Sequence, residues 1–252
     1  MKALVPAGGH GTRLRPITYT SAKQLVPVAG EPILFSVLRH IAQAGITEVG
    51  IVTGDTDPEI REAVGDGSRW KIAVTYIPQA SPAGLADCVR TAREFLGDEA
   101  FLMYLGDNML RDGVQSLVDE FVSEPVAAQI LTERVPEPQR FGVVEMDGDR
   151  VVRVVEKPDD PPSDLALAGV YLFSPEVHEV ISQLRPSARG EYEITDAIQG
   201  LIDEGLEVRA HEVTGWWKDT GQPEDLLEAN RLVLSSIEPW IEGSVEGAEV
   251  IG

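Results

Sequence analysis

The chain has 252 residues, of which 43% are hydrophobic and 25% charged, and its 42 acidic and 21 basic side chains give a formal net charge of −21. Such an excess of acid argues against binding to a nucleic-acid backbone or an anionic membrane surface, because lysine and arginine supply most of the attraction to both. The length favours one α/β domain, with or without a small appendage, over two full domains.

The sequence also predicts where the protein is located. No stretch approaches the roughly 20 apolar residues that span a bilayer, and the start becomes glycine-rich too early for a secretory signal. The single cysteine, Cys88, cannot form an intramolecular disulfide, which favours a reducing compartment. A cytoplasmic protein without membrane contacts is therefore expected.

Short apolar runs alternate with amphipathic segments in the first half of the chain. A helical pattern begins at Ile33 and continues to Ala44, and Gly45 is placed to cap its C-terminus. This alternation predicts an α/β fold with a largely parallel sheet that is covered by helices on both faces. Buried strands are predicted at residues 2–5, 48–53, 71–77 and 100–105.

The pattern changes after about residue 125. Two β-rich runs, 141–146 and 151–156, flank Asp147-Gly148 and predict an antiparallel hairpin whose loop length the sequence leaves open. This region would be a β-rich, substrate-binding insertion beside a nucleotide-binding half. A loop at 158–163, a strand at 167–173 and helices at 194–204 and 224–236 are predicted to follow.

The domain boundaries follow from this organisation. One domain is expected over residues 1–237, with an α/β half of about 1–125 and a β-rich half of about 126–237. The tail, 238–252, has small residues and spaced aliphatic residues. It resembles either the start of a hexapeptide-repeat β-helix or a frayed terminus.

The glycine-rich turn after the first strand, Gly8 to Pro16 (GGHGTRLRP), is the most informative segment. Glycines let backbone N–H groups approach a phosphate closely. The turn matches neither a Walker A loop nor GxGxxG, which argues against a P-loop ATPase and a dehydrogenase. Residues 1–30 carry a net charge of +4, which leaves −25 on the rest. The turn thus predicts a pocket for a polyanion such as a nucleoside triphosphate, with a surface turn as the alternative.

The segment GGHGTRLRPIT at 8–18, followed by SAKQLVPV at 21–28, resembles the sugar-1-phosphate nucleotidyltransferases, whose pattern is GGxGTRLxPxT with a lysine shortly after it. The resemblance spans residues 1 to about 235, and it implies a Rossmann-like mixed sheet with a β-rich sugar-binding insertion. It also implies that residues 1–237 are a catalytic domain, with a nucleotide half of about 1–125 and a sugar half of about 126–237. Its later landmarks occur in the same order at 79–86, 105–108, 141–144, 155–158, 168–171, 189–196 and 217–221.

Three features resemble the thymidylyltransferase branch of that family: the segment Lys23-Gln24-Leu25, and the residues Gln79 and Gly84. The resemblance implies that dTMP passes from dTTP to glucose 1-phosphate and that pyrophosphate is released. A glutamine amide distinguishes a pyrimidine from a purine better than thymine from uracil. A UTP-using or relaxed pyrimidine enzyme, galactose or glucosamine 1-phosphate as substrate, and a non-catalytic nucleotide-sugar sensor all remain open.

The resemblance also assigns roles to individual residues. Arg13 would hold the triphosphate, Lys23 would lie over the α-phosphate, and Asp107 with Asp219 would bind Mg²⁺. No general base is required, since the attacking phosphate is already ionised. The nucleotide-binding candidates are Ala7, Gly8, Gly9, Gly11, Thr12, Arg13, Gln24, Gln79, Pro82, Gly84 and Asp107. The sugar-phosphate candidates are Asn108, Gly142, Glu156, Lys157, Gly169 and Arg189.

The end of the chain departs from the short members of this branch, which continue with further helices. Here the chain passes from Glu238-Pro239-Trp240 into the glycine-rich tail. In this respect the chain resembles the longer members, which carry a C-terminal β-helix domain, although most of that domain would be missing here. The resemblance therefore leaves open whether the chain has the feedback site for a nucleotide sugar and the tetramer of the short members. It still allows a homo-oligomer.

Overall fold

A mixed sheet of nine strands runs through the part of the chain that our computed structural model describes, residues 1–9, 11–19 and 21–237. The strands are β1 (Lys2–Pro6), β2 (Pro27–Val28), β3 (Glu31–Pro32), β4 (Glu48–Thr53), β5 (Ala73–Pro78), β6 (Phe101–Tyr104), β7 (Asn108–Leu110), β8 (Ala128–Arg134), β9 (Gly142–Asp147), β10 (Arg150–Glu156), β11 (Leu165–Phe173), β12 (Val208–Glu212) and β13 (Trp217–Asp219). The helices are α1 (Ile33–Gln43), α2 (Asp57–Val64), α3 (Leu85–Thr91), α4 (Arg93–Leu96), α5 (Gln115–Ser123), α6 (Val177–Gln183), α7 (Ile194–Asp203) and α8 (Pro223–Ser235).

The half of the sheet that contains the N-terminal strands is parallel. The strand order is β10-β9-β11-β6-β1-β4-β5, and β6, β1, β4 and β5 all run in the same direction. β11 pairs antiparallel with β6, β8 and β9, and β12 pairs parallel with β8. The prediction of a mixed, mostly parallel sheet flanked by helices is therefore confirmed.

The helices cover both faces of the sheet because successive strand side chains point in opposite directions. Ala3 and Val5 pack on the face covered by α1, α2 and α5, whereas Leu4 packs on the face covered by α3, α4, α6 and α7. Helix α8 lies apart from these layers, where Leu226 and Ala229 pack near Leu14 in a third cluster. Near-continuous apolar runs such as β6 therefore belong to strands that are buried on both faces.

Most predicted element boundaries agree with the structure to within one or two residues. β4 has the predicted bounds, and α1 ends at Gln43 just before Gly45, whose φ is +76°. β5 begins at Ala73 rather than at Lys71, because Lys71 has a left-handed φ of +60° and closes a turn. The hairpin loop left open by the sequence is Gly148-Asp149, since Arg150 pairs with Asp147.

The predicted division near residue 125 stays a prediction, since the sheet is continuous across that point through the pairing of β6 with β11. The tail at 238–252, with the expected β-helix or frayed terminus, lies outside the described residues. Over residues 1–9, 11–19 and 21–237, the structure contains no helix of the length and hydrophobicity that crossing a bilayer requires.

Candidate active site

A cavity of about 370 Å³ opens beyond the carboxyl ends of the parallel strands. β1, β5 and β6 run in the same direction, so the residues that follow them meet at one edge of the sheet, where ligands of open α/β sheets bind. Sixteen of the candidate residues line this cavity: Gly8, Gly9, Arg13, Lys23, Gln24, Gln79, Pro82, Gly84, Asp107, Asn108, Gly142, Glu156, Lys157, Gly169, Arg189 and Asp219. Ala7, Gly11 and Thr12 do not line it.

The glycine-rich turn lies close to the neighbouring strand ends. A Cβ on Gly8 would lie 3.3 Å from the backbone nitrogen of Gly54, and one on Gly54 would lie 2.9 Å from the carbonyl oxygen of Gly8. Gly11 has a φ of +60°, and its Cβ would lie 3.0 Å from the Cβ of Lys23. Although Gly11 does not line the cavity, its small size allows the turn to pack against the segment that carries Lys23.

Lys23, Asp107 and Asp219 form the charged centre of the cavity. The Lys23 ammonium forms an ion pair with the Asp107 carboxylate, and both side chains are largely buried. Burial is the largest single influence on Asp107 and opposes its ionisation, but the charge of Lys23 and the hydrogen bonds to the carboxylate together lower the pKa of Asp107. Burial also opposes the charge on Lys23, but the charge and hydrogen bond of Asp107, with the charge of Asp219, together raise the pKa of Lys23. Burial and, next, the charge of Asp107 raise the pKa of Asp219 to about 6. Two acidic groups thus share one site with a single lysine.

Backbone pairing holds the two aspartates together. In the antiparallel pair of β7 and β13, Asp219 lies opposite Asn108, the residue after Asp107. Thr220 donates to the carbonyl oxygen of Asp107 from its backbone nitrogen at 3.1 Å and from its hydroxyl at 2.6 Å. The two carboxylates are therefore positioned by main-chain contacts as well as by their own charges.

The donor set fits Mg²⁺, a hard cation that is commonly held by one or two carboxylates while phosphate and water complete its coordination. Asp107 and Asp219 supply those carboxylates. Among the residues that the structure describes, no group of three or more histidine, cysteine, aspartate or glutamate side chains is arranged to hold a metal. A cation bound here would therefore draw its remaining ligands from substrate and solvent.

The Asn108 side chain connects the aspartate pair to the rest of the cavity wall. The indole nitrogen of Trp217 donates to Asn108 Oδ1 at 2.6 Å, and Asn108 Nδ2 donates to Asp107 Oδ1 at 3.0 Å. An indole N–H can only donate, so this pairing determines which way the amide points. Gly169, with a φ of +69°, lies against the same amide, since a Cβ there would be 2.8 Å from Asn108 Oδ1.

A second part of the cavity wall carries another charged cluster. Arg189 and Lys157 approach Glu156 Oε1 at 2.9 and 3.3 Å, and the Thr195 hydroxyl donates to Oε2 at 3.3 Å. A Cβ on Gly142 would lie 2.6 Å from the methyl group of Thr195. Two cations and a carboxylate thus lie within reach of a small polar ligand.

The third part of the cavity wall contains Gln24, Gln79 and Gly84. Gln24 is buried, and its Oε1 has no hydrogen-bond partner among the described residues, which leaves an acceptor available to a ligand. Gly84 has a φ of +106°, and a Cβ there would lie 2.4 Å from the carbonyl oxygen of Tyr192. Only glycine therefore fits at this position.

Several residues that line the cavity were not among the sequence candidates: Arg140, Phe141, Tyr171, Glu191, Glu193, Thr195 and Trp217. All of them except Arg140 lie inside the landmark segments quoted above, so a signal was present without a residue-level assignment. Arg140 reaches the cavity through the short 3₁₀ turn at Pro138–Arg140, and no motif marks it.

Known proteins share both the sequence pattern and the fold. A family profile described as "Nucleotidyl transferase" matches residues 2–236. A glucose-1-phosphate thymidylyltransferase of Streptomyces griseus is 57% identical over 100% of this chain and 72% of its own length, and one of Streptomyces antibioticus is 54% identical over 100% and 71%. A crystal structure of a provisionally assigned glucose-1-phosphate thymidylyltransferase of Bacillus anthracis, in complex with sucrose, superimposes with a TM-score of 0.88 at 33% identity, covering 96% of this chain and 98% of that one.

Proposed function

This chain belongs to the nucleotidyl transferase family, and on that premise we propose that it is an enzyme that transfers dTMP from dTTP to glucose 1-phosphate, giving dTDP-glucose and pyrophosphate. One observation carries the proposal. A single cavity is lined by two groups of residues: the glycine turn with Lys23 and two carboxylates, and the cluster of Glu156, Lys157 and Arg189. Such a cavity can bring two anionic substrates together, although the net negative charge of the chain as a whole would repel them.

In the proposed reaction a phosphate oxygen of glucose 1-phosphate attacks the α-phosphorus of dTTP, and pyrophosphate leaves from the opposite side. Catalysis of this kind depends on positioning and on positive charge placed where negative charge accumulates. Arg13 would neutralise the leaving pyrophosphate while the backbone N–H groups of the glycine turn hold the triphosphate. Lys23, now paired with Asp107, would move its ammonium onto the α-phosphate.

Asp107 and Asp219 would hold Mg²⁺, which when bound offsets phosphate charge and so assists displacement at phosphorus. The raised pKa of Asp219 supports this role, since burial and the charge of Asp107 both oppose its ionisation and a bound cation would relieve both. The attacking phosphate is already ionised near neutral pH. The proposal therefore needs no general base.

The second charged cluster would bind glucose 1-phosphate. Glu156 would accept hydrogen bonds from sugar hydroxyls, and Lys157 and Arg189 would pair with the sugar phosphate. In the structure both cations approach Glu156. Binding of the sugar phosphate would therefore exchange a protein carboxylate for a phosphate as their partner. Asn108, Gly142 and Gly169 would shape the same subsite.

The nucleotide base would lie near Gln79, Pro82 and Gly84. UTP remains the nearest alternative substrate, because thymine and uracil differ only by a methyl group, which is worth little discrimination in a simple apolar contact.

A cytoplasmic location and a homo-oligomeric state also belong to the proposal. The buried, unpaired Cys88 supports the location.

The test is to incubate the protein with glucose 1-phosphate, Mg²⁺ and each nucleoside triphosphate in turn, and to measure released pyrophosphate. We expect release with dTTP. Asp107→Asn serves as the inactive control, since it removes one proposed Mg²⁺ ligand. Absence of release with every triphosphate would refute the enzyme and favour a nucleotide-sugar sensor. Equal rates with UTP and dTTP would refute strict thymidylyl transfer.

A further inference from the structure

A buried carboxylate holds the side-chain amide of Gln79. Gln79 follows β5, and its Nε2 donates to Asp87 Oδ2 at 2.6 Å. Asp87 lies in the first turn of α3, is only 7% exposed, and has its other oxygen, Oδ1, paired with Arg90. Gln79 also borders the cavity, while Asp87 does not line it. Asp87 therefore contacts a cavity residue from the protein side.

The chemistry of the partners determines which way the amide points. A carboxylate can only accept, so the NH₂ group of Gln79 must face Asp87. The thiol of Cys88 donates weakly to Gln79 Oε1 across 3.7 Å. Burial and, next, the charge of Asp87 raise the pKa of Cys88 to about 12, which keeps the thiol protonated and able to donate. Both neighbours favour the same orientation of the amide.

One consequence concerns the face of Gln79 that a ligand meets. Because the NH₂ group faces Asp87, the carbonyl oxygen lies on the other side of the amide, and a Cβ on the cavity residue Gly8 would lie 3.7 Å from it. A carbonyl oxygen can accept two hydrogen bonds and the Cys88 thiol supplies one, so a lone pair stays free for a ligand. Thymine and uracil present a ring N–H at N3, which can donate to it, whereas cytosine presents an unprotonated N3, which would meet it lone pair to lone pair.

We propose that Asp87 is a positioning residue that keeps the Gln79 carbonyl directed at the nucleobase, and that the cavity thereby selects pyrimidines with a ring N–H over cytosine. The inference rests on the proposed function and adds to it the chemical basis of base selection. It also predicts that the Gln79 carbonyl does not distinguish thymine from uracil, since both bases donate to it from N3.

Arg90 provides the matched control. It holds the far oxygen of Asp87, and its guanidinium lies 4.3 Å from the centre of the Tyr192 ring, outside the cavity. Arg90→Gln breaks the ion pair and leaves the carboxylate facing Gln79. Asp87→Asn keeps the shape of the side chain and can either donate or accept, so both orientations of the Gln79 amide become available.

The experiment measures kcat/KM for dTTP, UTP and dCTP with glucose 1-phosphate in the wild type, Asp87→Asn and Arg90→Gln. We expect the dTTP to dCTP ratio to fall at least tenfold in Asp87→Asn and to stay within about twofold of the wild type in Arg90→Gln. The dTTP to UTP ratio should change in neither. Asp87→Ser, whose hydroxyl also donates and accepts, is the second variant if Asp87→Asn does not fold, and the same shift is expected.

An unchanged dTTP to dCTP ratio in a folded Asp87 variant overturns the inference. The same fall in both Asp87→Asn and Arg90→Gln also overturns it, because the effect would then belong to the ion pair and not to the amide. A wild type that releases no pyrophosphate with any triphosphate refutes the proposed function instead. The two failures are thus distinguishable.

Discussion

Replacement of Gly169 by alanine tests the link between the backbone of the sheet and the proposed sugar subsite of the cavity. Gly169 lies in β11 where the pairing with β8 shifts register, and its φ of +69° is left-handed. Its carbonyl oxygen accepts from the backbone nitrogen of Leu105 at 3.0 Å. A new Cβ would lie 2.8 Å from Asn108 Oδ1 and 3.0 Å from the Leu105 side chain. Alanine would therefore both strain the backbone and displace the side chain of Asn108.

The expected cost has two parts. A left-handed conformation costs a non-glycine residue about 1–2 kcal/mol, and overpacking in a close-packed site costs about 1–3 kcal/mol more. The free energy of unfolding should therefore fall by roughly 2–5 kcal/mol, which lowers the Tm of a chain of this size by about 5–15 °C. Movement of Asn108 would also disturb its bonds to Trp217 and Asp107. We expect kcat/KM for glucose 1-phosphate to fall at least tenfold, or about 1.4 kcal/mol.

Gly205→Ala is the matched control. Gly205 is exposed, has a similar φ of +78°, and would place its Cβ in open space, so alanine there adds only the backbone strain. Thermal denaturation and pyrophosphate release measure both variants. Gly169→Ala should lose about 1–3 kcal/mol more stability than Gly205→Ala, which should keep wild-type kinetics. Equal losses of stability in the two variants, or an unchanged kcat/KM in Gly169→Ala, would refute the reasoning.

Three further changes test other contacts. Asp107→Asn should abolish Mg²⁺-dependent pyrophosphate release. The Tm should fall by no more than about 4 °C, because the carboxylate of Asp219 still lies near Lys23. Collapse of the fold would instead mean that Asp107 is a structural turn residue. Burial lowers the pKa of His40 to about 4, whereas the same side chain has a pKa of 6.5 in the unfolded chain. Between these two values the unfolded chain binds a proton that the folded chain does not, so the free energy of unfolding should fall by roughly 3 kcal/mol as the pH is lowered from 6.5 to 4. Denaturant titrations should find this fall smaller in His40→Gln, and identical pH slopes would contradict the assignment. Trp217→Phe removes the donor to Asn108 and should raise the KM for glucose 1-phosphate about fivefold with little change in kcat, whereas an unchanged KM would show that the amide keeps its position unaided.

The sequence was sufficient for features that depend on neighbouring residues. Apolar periodicity located β4 and α1 almost to the residue, since the repeat of a strand or helix is a property of adjacent positions. The glycine turn could also be recognised from the sequence, because a backbone that approaches a neighbouring strand end or a phosphate closely needs glycine, independently of the rest of the fold. The ordered landmarks then predicted most of the residues that the structure brings into one cavity.

The partner of each polar side chain was decided only by the tertiary structure. Lys23 with Asp107, Trp217 with Asn108, and Gln79 with Asp87 are pairs that no local pattern predicts, since each forms where separate strand ends or a strand end and a helix meet. A hydrogen bond depends on distance and direction in space, and spacing along the chain determines neither. The sequence therefore named the groups that are proposed to act on phosphate and sugar. The fold determined how those groups are charged, which way their amides point, and so what each can offer a ligand.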